Sequence, residues 1–388
     1  MICLAGPAGP GARVRQAISP FSRDCRLLLA PNSASKIDMQ SSGGHHQFAS
    51  DNTAGICPEV LAALEEANHA AAESYGADQW TSRVRELVRN LFETDCDVYL
   101  VFNGTAANAL ALAQLCQPFH SVVCHDHAHI QTDECGAPEF FTRGSKLLLV
   151  GGDAGKIDIN EVETVIARQP EVHAHQPRVI SITQATEFGT VYTRDEIGAI
   201  AELARKREMF LHMDGARFAN AIASLGCSAK EITWKIGVDV LCFGGTKNGA
   251  AAAELVIFFK KELSREFDYR LKQAGQLASK TRFLAAQWLG LLEDDVWLRN
   301  AKHANAMARK LAERLRAAGK IEIVLPVEAN ALFVRLAEQL AHDLNSRGWD
   351  FYKFIEPDLY RVMCAWATTE TEIDQFVGDV LHWRKGIV

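Results

Sequence analysis

The chain has 388 residues, 48% of them hydrophobic and 23% charged, with a formal net charge of −7. This is the composition of an ordinary globular protein with enough length for two domains. The acidic balance gives no electrostatic ground for binding nucleic acid or an anionic membrane.

No apolar run reaches the roughly 18–20 residues that cross a bilayer. The ten cysteines are scattered and none forms a CxxC pair, so they are expected as reduced thiols in a cytoplasmic protein. Residues 1–46 are rich in Gly, Pro, Ser and Ala and carry Arg13, Arg15 and Arg23 before the first acid, Asp24. They read as a disordered extension, with Met39 as an alternative start, or else as a transit peptide.

The rest divides into a large domain over 47–290 and a small one over 291–388. "PEVLAALEEANHAAAES", from Pro58, has proline at a helix start and apolar residues at helical spacing, and "VRELVRNLFET", from Val84, reads the same way. The β-type run Asp97–Phe102 leads straight into "NGTAANALALAQLC", a small-residue turn and an Ala/Leu-rich helix. Further strands are expected at Ser121–Cys124, Lys146–Val150, Arg178–Thr183, Met209–Asp214, Asp239–Phe243 and Leu255–Phe259. Helical segments separate most of them, such as the one from Arg194. That alternation predicts an α/β fold with a mostly parallel sheet covered on both faces. From about Trp297 a long basic amphipathic helix leads to "IEIVL", "ALFVRL" and "YRVMCAW", a compact α/β second domain.

In open α/β sheets ligands sit outside the carboxyl ends of the strands. The first strand delivers Asn103, Gly104 and Thr105 to a helix start, where free N–H groups suit a phosphate, or where Asn103 simply caps the helix. The next delivers His125, His127 and His129. These could ligate zinc, or one of them could lie flat on a cofactor ring. "MFLHMDGAR" brings Asp214 and Arg217 to the same edge, as a surface pair or as an acid facing a ring nitrogen and a cation facing an oxygen. "DVLCFGGTKNGAAAAELVIFF" places Lys247 in a largely apolar run. Such a lysine either reaches solvent through the Gly-Gly turn or is chemically used. In this order the parts describe a pyridoxal 5′-phosphate site. Lys247 forms the Schiff base, and Asp214 keeps the pyridine nitrogen protonated so that the ring withdraws electrons.

"FASDNTAG", "FNGTAAN", "HAHIQTDECGAPEFF", "ITQATEFGTVY", "HMDGARFANA", "CFGGTKNG" and "KQAGQLASKTRFLAA" resemble, in this order, segments of the threonine aldolases of the β-eliminating lyase family. The similarity runs from Phe48 to the C-terminus and is greatest to the low-specificity L-threonine aldolase and phenylserine aldolase branch. It implies the aminotransferase-like fold of type I pyridoxal phosphate enzymes, with a mostly parallel seven-stranded sheet and a small C-terminal α/β domain. It also implies a homotetramer, at least a homodimer. It implies that Gly104 and Thr105 hold the phosphate, His129 stacks on the ring, and Arg217 contacts its phenolic oxygen. Ser50 and Arg361 would bind the substrate carboxylate, and Lys272 would reach the phosphate of a neighbouring subunit. The implied reaction is retro-aldol cleavage of L-threonine, L-allo-threonine and other β-hydroxy-α-amino acids to glycine and an aldehyde, with phenylserine as the alternative preferred substrate. Many relatives carry a histidine in the segment that here reads "ITQATEFG", and the matching position is read as Thr186, which cannot serve as a general base. His129, Glu134 or a water would then take the proton. The rival readings are another pyridoxal phosphate lyase or a transaminase, a hydrolase using a metal at His125–His129, and a non-catalytic protein that kept the fold.

Overall fold

Strands and helices alternate as the apolar pattern predicts. The computed structural model of the protein describes residues 46–168 and 172–383, so the extension expected over 1–46 lies, apart from His46, outside the described residues. A short strand β1 (His46–Gln47) opens them, followed by the helices α1 (Pro58–Ala67) and α2 (Gln79–Phe92). Pro58 begins α1, where its missing N–H is not needed. Asp78 caps α2 by accepting the Thr81 N–H at 2.8 Å, and the spacing Val84, Val88, Phe92 buries one face.

The large sheet contains β2 (Asp97–Val101), β3 (His120–His125), β4 (Lys146–Val150), β5 (Gln176–Thr183), β6 (Phe210–Gly215), β7 (Val240–Gly244) and β8 (Glu254–Phe258). Their order is β2-β8-β7-β6-β5-β3-β4. Only β8 runs against the other six, antiparallel to both β2 and β7. The reason is length: the connection 245–253 is shorter than the dozen or so residues that a parallel crossover needs. Every residue of β7 and β8 is buried, as expected for strands covered on both faces. One cover is α3 (Gly104–Leu115), whose residues Ala106 to Ala113 are all buried.

The 23-residue helix Val296–Ala318 leads from the large sheet to the small one. The small sheet has β9 (Glu322–Ile323), β10 (Ala331–Arg335), β12 (Tyr352–Ile355) and β13 (Leu359–Met363) in the order β12-β13-β10-β9. The remaining strand, β11 (Trp349–Asp350), pairs in parallel with β1. The N-terminal arm is thus built into the second core. Phe48, 1% exposed, stacks on Trp349 at 5.4 Å and meets Phe376 edge-on at 5.3 Å. Among the described residues no helix is long and apolar enough to cross a membrane, and the cysteines are free.

Replacing Phe48 by Ala removes a ring from this closed cluster, and such truncations cost about 3–5 kcal/mol. Phe48→Ala is expected to lower the melting temperature by several degrees and Phe48→Leu by less. Equal melting of Phe48→Ala and the parent in a thermal scan would show that the arm is not part of the fold's stability.

Candidate active site

Lys247 is placed by two glycines. A Cβ on Gly244 would stand 2.4 Å from the Ala216 carbonyl oxygen, and one on Gly245 would stand 2.5 Å from that of Ala253. Only glycine lets the end of β7 lie against the exit of β6 and then turn into the single 3-10 turn Thr246–Asn248. The turn is gripped from β8 by Glu254, whose carboxylate accepts the N–H of Gly245 at 3.1 Å and of Thr246 at 3.4 Å. Lys247 is half-buried and borders two cavities, of about 410 and 390 Å³, which also share Asn52 and His129.

The first cavity runs from Lys247 to the start of α3, where Gly104 and Thr105 line it. Asn103 caps that helix, accepting the Ala106 N–H at 2.9 Å. The cap and the anion site are compatible, because capping satisfies one N–H and leaves others of the first turn to a ligand. A Cβ at Gly104 would meet nothing within 4 Å, so the helix end faces open space. Glu254 also lines this cavity, and burial pushes its carboxyl up to about 7.

The second cavity is bordered by Ser50, Glu187, Arg217, Tyr352 and Arg361. Ser50 caps a short helical turn, accepting the Asn52 N–H at 3.2 Å. Arg361, 6% exposed, donates to the Ala49 carbonyl at 3.2 Å and leans on the Tyr352 ring at 4.6 Å. Its Nε is buried without a partner. Desolvation and the neighbouring Arg217 both disfavour its charge. A buried guanidinium with an unmade hydrogen bond calls for an anion.

A hydrogen-bonded chain joins β6 to His129. Asn108 donates from Nδ2 to Asp214 Oδ2 at 2.7 Å and to Glu134 Oε1 at 2.9 Å. Glu134 Oε1 also meets His129 Nδ1 at 2.9 Å. Asp214 accepts the Ala216 N–H at 3.0 Å through its other oxygen. Burial pushes the Glu134 carboxyl up, and the bond to Glu134 pushes the His129 imidazole up. Arg217 is engaged from a different direction. Its guanidinium is paired with Asp51, Nε to Oδ2 at 2.7 Å and Nη2 to Oδ1 at 2.9 Å, and both side chains are buried.

Lys247, Gly104, Thr105, His129, Arg217, Ser50 and Arg361 therefore surround one pair of cavities, with Asp214 buried just ahead of Ala216, which lines the first. Lys272 does not join them: it is exposed and lies over the Tyr75 ring at 4.5 Å. Thr186 is turned away as well. Its hydroxyl is held by Ala154 and Thr190, while the next residue, Glu187, borders the cavity. His125, Asp126 and His127 bring ligand atoms within 4.8 Å of one another. But His125 Nε2 lies 3.2 Å from the Gly152 carbonyl and its Nδ1 accepts the His127 N–H, so that ring is spent on the loop.

Asp51, Asn108, Glu187 and Glu254 had no role in the sequence reading. Two left a local signal. Asn108 is an amide set between alanines and leucines in the middle of α3, and Glu254 is a lone acid in "AAAAELVIFF". A polar group forced into an apolar run implies a buried partner. Asp51 left none, because its partner lies 166 positions away.

The raised Glu254 carboxyl makes a pH prediction. A folded-state value of about 7 against the ordinary 4.5 means that the folded chain binds more protons, so stability falls as pH rises through this interval. Glu254→Gln stays neutral and is free of that loss, worth up to about 3 kcal/mol. Its melting temperature relative to the parent is expected to rise by a few degrees between about pH 5 and about pH 8. A difference that does not change with pH would contradict the burial of this charge.

The sequence pattern of the β-eliminating lyase family matches residues 47–339. The low specificity L-threonine aldolase of Pseudomonas aeruginosa is 54% identical over 334 residues, 86% of this chain and 96% of that protein. That of Escherichia coli K12 is 27% identical over 69% of this chain and 78% of its own length. The solved threonine aldolase of Leishmania major superposes with a TM-score of 0.82 at 28% identity, covering 86% of this chain and 98% of that one. The chain belongs to the β-eliminating lyase family.

Proposed function

We propose that this protein is a low-specificity L-threonine aldolase, which cleaves L-threonine, L-allo-threonine and other β-hydroxy-α-amino acids to glycine and an aldehyde. The enzymes of its family depend on pyridoxal 5′-phosphate. The observation that carries the reading is the position of Lys247 at the junction of two cavities, one ending on a helix N-terminus and the other on Arg361. The first end suits a phosphate and the second a carboxylate. The amine between them suits an aldehyde on one side and an amino acid on the other.

The residues present fit the cofactor. Lys247 would anchor its aldehyde, and Gly104 and Thr105 would hold its phosphate. His129 would lie against the ring and Asp214 would face its nitrogen. Arg217 would face its hydroxyl, kept in place by Asp51. Glu254 also suits an anion nearby, because burial favours its uncharged form. Bound there, the cofactor supplies an electron-withdrawing ring that stabilises negative charge on the substrate α-carbon.

Ser50 and Arg361 would grip the substrate carboxylate. A fixed carboxylate fixes which bond of the α-carbon is aligned for cleavage, and so separates this lyase from other reactions on the same fold. Tyr352 and Phe354 line the substrate-side cavity and favour an aromatic β-substituent, which keeps phenylserine as the second reading of the preferred substrate. Assembly into at least a dimer, with the tetramer as the fuller form, would give exposed Lys272 a neighbour's phosphate to reach. The exposed rings of Phe140 (77%) and Tyr269 (73%) support such a contact. We place the domain boundary near residue 290 and the protein in the cytoplasm.

Lys247→Ala is expected to abolish both the yellow absorbance of the lysine-bound cofactor and aldehyde release from L-threonine. Retention of both would refute the assignment. Arg361→Lys keeps the charge but loses the two-pronged grip. It is expected to raise KM for L-threonine by about tenfold or more with the cofactor absorbance unchanged, checked by steady-state kinetics.

A further inference from the structure

Cleaving a β-hydroxy amino acid needs a group that takes the hydroxyl proton. Resting on the aldolase reading above, we propose that Glu187 is that group. It follows strand β5 at the same carboxyl edge and borders the cavity shared by Lys247, His129 and Arg361.

The other candidate acceptors near that wall, Tyr352 apart, are each bonded to the protein through at least one atom. His127 Nδ1 is bonded to Asp126 at 2.7 Å. His129 Nδ1 is held by Glu134, a bond that strengthens the ring's hold on its proton. Asp133 is exposed and accepts the Thr132 hydroxyl at 2.6 Å. Tyr352 is pushed up by desolvation and keeps its phenol proton. Glu134, 3% exposed, does not line the cavity, and one of its oxygens serves Asn108 and His129. Thr186 spends its hydroxyl on Ala154 and Thr190. Glu187 is half-buried, and its charge is felt by His129, Arg217, Tyr352 and Arg361. A carboxylate that lines the cavity opposite the arginines and the phenol is placed to accept a proton from a substrate held there.

In the step, the O–H bond of the β-hydroxyl breaks and its proton moves to a Glu187 oxygen. The O–H electron pair becomes the second bond of the aldehyde carbonyl as Cα–Cβ breaks. The Cα–Cβ pair stays with the glycine carbon, which takes up a proton before glycine leaves, and Glu187 returns its proton to water. The two products balance the substrate, and no oxidant or reductant is needed. Arg361 and Ser50 hold the substrate by its carboxylate, so the proton transfer and the grip are separate functions.

The test compares Glu187→Gln with the parent holoenzyme in two reactions, aldehyde release from L-threonine and exchange of the glycine α-hydrogen in deuterated water. Glycine has no hydroxyl, so its exchange does not need this base. Losing a general base slows a reaction by about 10²–10⁴-fold. Glu187→Gln is expected to lose at least about 100-fold in kcat for cleavage, with KM, cofactor absorbance and glycine exchange within about threefold of the parent. Added formate should restore part of the cleavage to Glu187→Ala. Cleavage by Glu187→Gln within about threefold of the parent would overturn the assignment. So would equal loss of cleavage and exchange, which would mark the residue as structural. A parent enzyme that exchanges glycine but releases no aldehyde from L-threonine would overturn the aldolase reading together with this one.

Discussion

The ion pair between Asp51 and Arg217 holds the site together. It joins the N-terminal arm to the exit of β6, and Asn330, just before β10 of the small sheet, donates to the same Asp51 carboxylate at 3.0 Å. Three stretches that the sequence keeps far apart meet at one carboxylate. Desolvation opposes both charges, and the pairing overcomes it, since Asp51 is held below the usual carboxylate range and Arg217 above its own. A buried pair of this kind adds little net stability against an apolar replacement, yet removing one partner costs about 3–5 kcal/mol. Its value is geometric: Ser50 and Asn52 are adjacent to Asp51, so the wall they form is fixed by the bond next to them.

The same logic explains why the N-terminal arm is part of the second core. The arm is locked twice, by β1 on β11 with Phe48 in the apolar cluster, and by Asp51 on Arg217. Between these anchors the Ala49 carbonyl receives Arg361 from β13. Small-sheet and large-sheet residues thereby face one space, and shifting the arm would move Ser50, Asn52 and the Arg361 contact together. Core packing is thus translated directly into the shape of the substrate-side cavity.

Local chemistry was legible in the sequence, and long-range chemistry was not. The positions of Asp214 and Lys247 could be read because one stands at the end of an apolar strand and the other just past one, and parallel strands deliver their ends to one edge. The helix start at Gly104 was legible for the same reason. The single reversed strand, β8, follows from the short 245–253 connection, which the sequence also displays. Asp51, by contrast, acquires meaning only through residues 166 and 279 positions away. Asn108 bridges Asp214 and Glu134 across 106 and 26 positions, a relation that no periodicity encodes. Glu187 was hidden for another reason. It lies beyond the last residue of β5, and past a strand end the apolar pattern does not fix which of two neighbours, Thr186 or Glu187, faces the cavity.

The charges of the site sort themselves by whether they are already answered. Asp51 answers Arg217, while Asp214 and Glu134 share the amide of Asn108. Glu254 is answered by backbone N–H groups and by burial, which favours its neutral form. These groups are held in position by the scaffold before any ligand arrives. Arg361 keeps an unpartnered buried Nε, and Lys247 and Glu187 face the cavity. Each of the three offers something different: a planar cation for a carboxylate, an amine for a carbonyl, and an anion for a proton. The cofactor's aldehyde would answer the amine, and a β-hydroxy-α-amino acid carries the carboxylate and the hydroxyl proton on adjacent carbons, so the groups left unanswered by the scaffold define the substrate class more narrowly than the cavity volume does.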